Sequence, residues 1–218
     1  VFTQKLSKTW IKTYNNFMAK SFKKDIKEKT TNDIYDGIGA LLVDDDPDLL
    51  TITNISKRSG YSIGNIYHHF KNIDSVIDEF LIHRVRKRTK VMIAMINEMP
   101  PTATAKEIIR IINDYNFDEM TNKMPKNMLI KLANKIMNKT EVIERLDEIS
   151  LSYTDSIEAM INRNETNTFK NLTHAEVEMA LLMSINAIRK PVICKHKLAF
   201  TEAHRQQSLA LMMALYVK

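Results

Sequence analysis

The sequence predicts an all-α protein, and two observations lead to this fold class. Only four Gly and five Pro occur among 218 residues, whereas Met, Ile, Leu, Lys and Asn are abundant, a mixture that suits helices better than sheets. Apolar residues also recur at spacings of three or four along most of the chain, with no alternation of strand and helix patterns. We therefore expect a series of amphipathic helices throughout.

Residues 1–27 predict a basic amphipathic helical extension. Residues 1–30 contain eight lysines and two acidic residues, so this end of the chain carries the whole formal charge of +6. The apolar residues are mostly four apart: Phe2, Leu6, Trp10, Tyr14, Phe17, Met18, Phe22 and Ile26. Such a helix can dock on the rest of the protein, contact a polyanion or lie on a membrane surface. A solvated lysine-rich face is the simpler interpretation.

The next segment predicts three short helices, two of which form a helix-turn-helix. The first runs from Lys29 to about Val43 and stops at the acidic loop before Pro47. Thr51 is a good N-cap for the second helix, and Gly60 favours the left-handed turn that ends it. Ser62 can cap the third helix, in which Ile66 and Phe70 form a buried stripe. The N-terminal residues of such a third helix are the ones that face DNA bases in a helix-turn-helix.

This region resembles the TetR/AcrR-type transcriptional repressors over roughly residues 28–80. The residues that match the family signature in register are Thr51, Ile55, Gly60, Ser62, Gly64, Ile66, Tyr67, His69, Phe70, Lys71 and Asn72. The chain departs from the signature at Ser56, Ser59 and Tyr61, where Ala, Ala and Val are usual, and at Ile63 and Ile73, where Lys is common. The two missing lysines reduce the expected attraction to phosphates.

The resemblance implies a DNA-binding head at residues 28–75 and a helical ligand-binding and dimerisation body at residues 76–218. The side chains expected to contact double-stranded operator DNA are Thr51, Thr53, Ser62, Ile63, Gly64, Asn65, Tyr67, His68 and Lys71. Asn65 and Ile63 are expected to face bases, and Ser62, Tyr67 and Lys71 to hold phosphates.

The body is predicted as a long helix followed by five others. The long helix begins at Asn72 or Asp74 and ends before Pro100, which makes it on the order of 40 Å long. The other predicted helices span about residues 102–120, 125–137, 140–163, 173–188 and 199–217. Pro191 is expected to break the chain between the last two.

The resemblance also implies a cavity for a small-molecule inducer in the body. Methionine is flexible and suits adaptable pockets, and tyrosine hydroxyls can serve as polar contacts. The expected lining residues are Met92, Met95, Met99, Tyr115, Met128, Leu132 and Tyr153. Ordinary packing in a methionine-rich core is the alternative for each of them.

Residues 173–217 are predicted to form a homodimer, because the family dimerises through a bundle of its two C-terminal helices. Small residues occupy one stripe on each helix: Ala180, Ser184 and Ala187 on the first, and Ala203, Gln207, Ala210 and Ala214 on the second. Packing within one subunit is the alternative. A two-fold dimer also suits selective DNA binding, since one recognition helix reads few base pairs.

Several classes of function have no support in the sequence. No phosphate-binding glycine loop, nucleophile elbow or paired cysteine occurs, so neither an enzyme nor a cofactor is predicted. The six histidines form no zinc-ligand pattern. Cys194 is alone, and no apolar run approaches the roughly 18 residues needed to span a bilayer, so a cytoplasmic protein without membrane contact is expected.

The sequence thus predicts a homodimeric repressor that an apolar or amphipathic ligand releases from a palindromic operator. Two alternatives remain open: a ligand-independent DNA binder of the same fold, and a helical interaction protein that has lost DNA binding.

Overall fold

The computed structural model describes residues 28–44, 46–121, 125–136 and 138–218, and the predicted extension at residues 1–27 lies outside them. The described residues are helical apart from turns, loops and one isolated β-bridge, so the all-α prediction is confirmed. The helices are α1 (28–42), α2 (Ile52–Ser59), α3 (Ile63–His69), α4 (Ile73–Glu98), α5 (Ala105–Thr121), α6 (Lys126–Ile136), α7 (Thr140–Leu151), α8 (Thr154–Arg163), α9 (His174–Ile193) and α10 (Glu202–Tyr216). None of them is long and apolar enough to cross a membrane.

The head is a compact cluster of α1, α2 and α3 around a shared hydrophobic core. Ile34, Ile38, Ile55 and Ile66 have no exposed surface. The same core includes residues from beyond the predicted domain boundary, which are Val76, Ile77 and Phe80 of α4 and Met128 and Leu132 of α6. The head is therefore packed directly onto the first turns of α4 and onto α6.

The body packs α4 and α5 against α8, α9 and α10. Its core includes Met92 and Ile96 from α4, Ile108 from α5, Met160 from α8 and Val177 from α9. The C-terminus returns to the loop after α8, where Phe169 and Val217 form the β-bridge. The body helices therefore pack around the C-terminal half of α4.

The prediction of one helix over residues 140–163 is wrong, because α7 ends at Leu151 and α8 begins at Thr154. Hydroxyl groups at the break bond back to the preceding turn. Ser152 Oγ donates to the carbonyl of Ile149 at 2.6 Å, and Thr154 Oγ1 donates to that of Leu151 at 2.7 Å. Such side chains compete with the helical hydrogen bonds, and here the axis changes direction.

The prediction that Pro191 breaks the chain is also wrong, since α9 continues through it to Ile193. A proline has no N–H, so the carbonyl of Ala187, four residues earlier, loses its partner within the helix. The buried His204 of α10 replaces that partner, because its Nε2 lies 2.9 Å from the Ala187 oxygen. The imidazole must carry its proton on Nε2 to donate this hydrogen bond.

We expect His204→Leu to destabilise the fold by about 1–3 kcal/mol, because the Ala187 carbonyl is then left without its partner. Pro191→Ala restores a backbone N–H, so the same His204→Leu substitution is expected to cost less in that background. Urea unfolding of the wild type, both single variants and the double variant measures the coupling. Strictly additive free energies would show that His204 does not serve the Ala187 carbonyl.

Candidate nucleic-acid interface and ligand cavity

The turn between α2 and α3 is built by three local signals that the sequence predicted correctly. The Thr51 side chain caps α2 by accepting a hydrogen bond from the Asn54 N–H at 3.3 Å. Gly60 ends α2 at a φ of 76°, a conformation that costs glycine little. The Ser62 side chain then caps α3 by accepting from the Asn65 N–H at 3.2 Å. These contacts fix the direction in which α3 leaves the turn.

All nine residues that the sequence predicted to contact DNA are exposed. Ile66 and Phe70 of the same segment are buried in the head core, so α3 has one inner and one outer face. Gly64 lies on the outer face, and no atom lies within 4 Å of where its Cβ would be. The outer face of α3 is therefore open to close approach by another molecule.

Two departures from the family signature hold the turn in place. The Ser56 hydroxyl donates to the Tyr61 carbonyl at 2.7 Å. The Tyr61 hydroxyl donates to the Asp33 carboxylate of α1 at 2.8 Å. A third departure, Ile73, is partly buried against the head core. These residues serve the packing of the head, whereas Ile63 remains 39% exposed on α3.

Charge is unevenly distributed around the head. Residues 49–73 contain three basic residues and no acidic residue. Acidic residues on either side of this segment face α6, where Asp48 lies 3.5 Å from Lys131 and Asp74 lies 2.7 Å from Lys135. The hydrogen bond from Lys135 lowers the pKa of Asp74. Other carboxylates lie beside α2 and the turn, since Asp44 pairs with Arg58 at 3.3 Å and Asp33 accepts the hydrogen bond from Tyr61. Residues 49–73 themselves contribute basic and no acidic side chains to the helix-turn-helix.

The body encloses a mostly apolar cavity of about 210 Å³. Every helix from α4 to α10 contributes to its wall. Apolar side chains from α4, α5, α6, α8 and α9 include Val85, Ile112, Leu132, Ile157 and Ile188. A few polar groups complete the lining, which is the usual composition of a small-molecule site.

The polar groups of the cavity comprise hydroxyls, the Asn116 amide and two guanidinium groups. Burial raises the pKa of Tyr153 to about 12 and raises that of Tyr216 further, so both phenols are neutral near pH 7. Arg189 donates to Asp147 at 2.8 Å and is thereby paired. Arg88 of α4 also lines the cavity, and its positive charge acts on Tyr153.

The seven residues predicted to bind a ligand lie in different places. Leu132 and Tyr153 line the cavity. Met92, Met95 and Met99 pack in or against the body core, and Met128 is buried in the head core. Tyr115 lines a neighbouring groove between α1, α4 and α5. Sequence reasoning did not identify the lining residues Arg88, Ser184, Met212 and Tyr216, because helical periodicity shows that a side chain is buried without showing whether it borders a void.

An exposed cluster of possible metal ligands joins α8 to the start of α9. His174 Nδ1 lies 2.7 Å from Glu158 and 3.9 Å from Asp155. The hydrogen bond to Glu158 is the main cause that raises the pKa of His174. Because Asp155 and His174 are exposed and His174 already hydrogen-bonds to Glu158, we interpret the cluster as a surface ion pair.

The outer surfaces of α9 and α10 correct one part of the dimer prediction. Ala180 and Ser184 are buried within the subunit, so the prediction that they form an outward stripe is wrong. The outer side of α9 instead presents Met179 and Met183, which are 59% and 43% exposed. On α10 the predicted stripe is exposed throughout, at Ala203, Gln207, Ala210 and Ala214.

The fold is that of the TetR-family transcriptional regulators, as comparison with solved structures shows. A TetR transcription regulator from Haloarcula marismortui aligns with a TM-score of 0.61 and 18% identity, over 87% of this chain and 99% of that one. The regulator FadR from Bacillus subtilis, in complex with stearoyl-CoA, aligns with a TM-score of 0.55 and 19% identity, over 83% of this chain and 96% of that one. SmeT, the repressor of the SmeDEF multidrug efflux pump of Stenotrophomonas maltophilia, aligns with a TM-score of 0.56 and 19% identity, over 86% of this chain and 90% of that one. No family model and no curated protein gives a significant match to the sequence.

The resemblance predicted from the helix-turn-helix is therefore confirmed at the level of the fold. It also extends well beyond residues 28–80, since the alignments cover most of this chain. Each of the three proteins is described as a transcriptional regulator or repressor, and none as an enzyme.

Two glycines of α1 test how closely the head is packed. A Cβ on Gly37 would lie 2.9 Å from Ser59 Cβ and Ser59 N, so Gly37→Ala must push α2 away from α1. We expect a loss of about 1–3 kcal/mol in stability, as for other overpacked sites. Gly39 has no neighbour within 4 Å of that position, so Gly39→Ala is expected to stabilise by about 1 kcal/mol. Thermal unfolding compares the two, and equal effects would contradict the close contact.

Proposed function

We propose that this protein is a DNA-binding transcriptional regulator of the TetR type, which acts as a homodimeric repressor and releases its operator when a small molecule occupies the body cavity. The observation that carries the proposal is the outer face of α3. A capped helix of seven residues exposes all of its predicted contact residues, while its two buried side chains tie it to the head core. Such a helix suits insertion into a major groove.

The charge distribution supports DNA as the partner. The segment around α3 carries three basic residues and no acidic ones, so its own charges attract phosphates. The open space at Gly64 allows close approach of a DNA backbone. The solved relatives described as regulators have the same fold.

The cavity supports regulation by a ligand. It is apolar, and it borders residues that also belong to the head core: Leu132 lines the cavity and packs in the head cluster. A ligand that binds one position of α6 better than another would thereby favour one position of the head. FadR is described in complex with stearoyl-CoA, an apolar chain with a charged head, which fits a ligand-responsive role for this fold.

The exposed face of α9 and α10 supports dimerisation through these helices. Met179 and Met183 supply apolar area, and the alanines of α10 allow close approach of a second subunit. A two-fold pair of heads reads two half-sites about 34–36 Å apart, which gives the selectivity that one short helix lacks.

A helical interaction protein without DNA binding is the second candidate, and Ile63 is the observation that favours it. An exposed isoleucine occupies a position of α3 where the family commonly has lysine. Selection of bound duplexes from a random pool separates the two functions, because a palindromic product supports the repressor and the absence of enrichment supports the interaction protein.

Two substitutions on the same face are expected to act differently on DNA binding. Asn65→Ala removes a side chain placed to contact bases, so it should change the preferred base and cost ~1–3 kcal/mol at the selected site. Lys71→Ala removes a phosphate contact, so it should weaken all sequences alike and reduce the salt dependence. Fluorescence anisotropy at several salt concentrations measures both, with the exposed Lys106→Ala on α5 as control. Unchanged affinity in both variants would exclude this docking mode.

A charge at the centre of the exposed face of α10 is expected to disrupt the dimer. Ala210→Glu places a carboxylate where a partner subunit would bury it without a counter-charge, which is costly. Sedimentation should then show a monomer, and duplex affinity should fall. Ala94→Glu on the exposed side of α4 is the matched control and should remain dimeric. A folded, dimeric Ala210→Glu variant would place the interface elsewhere.

A further inference from the structure

One cation in the cavity wall has no counter-ion. In the part of the chain that the structure describes, Arg88 makes no ion pair and no hydrogen bond, although it lines the cavity together with Leu81 and Val85 of the same helix face. The other lining cation, Arg189, is paired with Asp147. Among the described residues, no aspartate or glutamate lines the cavity. An uncompensated charge beside an apolar space is costly and is relieved by an opposite charge.

A second polar group without a hydrogen-bond partner lines the same cavity. Tyr153 is only 5% exposed and lines the cavity, and its hydroxyl makes no hydrogen bond with any described residue. Burial raises the pKa of Tyr153, and the positive charge of Arg88 opposes part of this rise, so the charge acts on the hydroxyl. A guanidinium and a neutral phenol can both donate hydrogen bonds to one acceptor, and carboxylate oxygens accept such bonds most strongly.

The groove outside Arg88 carries more basic than acidic side chains. Arg88 borders this groove, where α4 also presents His83, Arg84 and Lys87, and where Asp36 of α1 and Glu119 of α5 supply the acidic groups. The cavity and the groove share the wall formed by Leu81, Val85, Arg88 and Leu129. A ligand can therefore keep its charged end at this wall while its apolar part fills the cavity.

We propose that the cavity binds an amphipathic carboxylate, with the carboxylate held by Arg88 and the Tyr153 hydroxyl and the apolar chain in the cavity. This assignment names the ligand class of the site, and its regulatory meaning rests on the proposed function. Cations are disfavoured by Arg88, and neutral chains leave both donors unsatisfied.

The test compares three ligands that share one apolar chain. Isothermal titration calorimetry of the full-length, lipid-free protein with dodecanoate, 1-dodecanol and dodecylamine, all below their aggregation limits, measures the effect of the head group alone. We expect dodecanoate to bind roughly tenfold or more tightly than dodecanol, as the loss of a charge-assisted hydrogen bond implies, and dodecylamine to bind most weakly. Equal affinity for the acid and the alcohol, or a preference for the amine, would overturn the assignment.

Variants connect this preference to the two residues. Arg88→Gln should weaken dodecanoate binding by about tenfold and leave dodecanol unchanged, whereas Arg88→Lys should retain part of the preference. Tyr153→Phe removes only the hydroxyl and should weaken dodecanoate binding severalfold. Arg86→Gln, at an exposed position of α4 that lines neither space, is the control. If Arg88→Gln does not fold, Arg88→Lys and Tyr153→Phe decide the result, and a preference unchanged in both excludes the proposed contacts.

The calorimetry requires no DNA, so its result is independent of the proposed function. If the protein binds dodecanoate but no duplex, the ligand site is supported and the repressor function is excluded. If it binds a duplex but not dodecanoate, the repressor function is supported and the ligand assignment is excluded. When both hold, dodecanoate should weaken duplex binding by the same factor by which duplex weakens dodecanoate binding.

Discussion

A single helix, α4, belongs to both hydrophobic cores, and the position of the head relative to the body depends on it. Its first two turns bury Val76, Ile77 and Phe80 in the head core, while Met92 and Ile96 lie in the body core. Ion pairs reinforce this on one side, where Asp74 and Asp78 meet Lys135 and Lys139 at 2.7 Å, and Glu79 accepts two hydrogen bonds from Arg145. Exposed pairs contribute little individually, but these three pairs together hold α6 and the start of α7 in register with α4, and a fourth pair, Asp48 with Lys131, ties α6 to the turn before α2.

The parts of the structure that the sequence predicted well are those fixed by neighbouring residues. Thr51, Gly60, Ser62 and Asn72 act within three or four positions of themselves, so the helix-turn-helix and the start of α4 could be placed from local chemistry alone. The exposed face of α3 followed from the same periodicity, because the positions of Ile66 and Phe70 in the core leave the opposite side outward.

The parts that the sequence did not predict depend on distant residues or on voids. The apolar spacing continues unbroken through residues 140–163, so only the hydroxyl groups at Ser152 and Thr154 distinguish the bend from a straight helix. Pro191 reads as a helix breaker until His204 is placed beside the Ala187 carbonyl, which requires α10 to be packed on α9. Buried residues that pack and buried residues that border the cavity follow the same helical period. The methionines of α4 were therefore predicted to line the cavity, whereas Arg88, Met212 and Tyr216 line it instead.

The head core and the cavity are coupled because α6 borders both of them. Met128 is buried in the head core, Leu132 belongs to the head core and the cavity wall, and Ile136 lines the cavity at the other end of the helix. A ligand that fills the cavity presses on Leu132 and Ile136, and close packing transmits such a displacement to Met128 because the core has little free volume. The ion pairs from Lys131 and Lys135 to Asp48 and Asp74 lie on the same helix, so any movement of α6 also pulls on the segment just before α2 and on the start of α4. In the dimer that we propose, the spacing of the heads would depend on side chains that also close the cavity, and this dependence is how occupancy of one site would change affinity at the other.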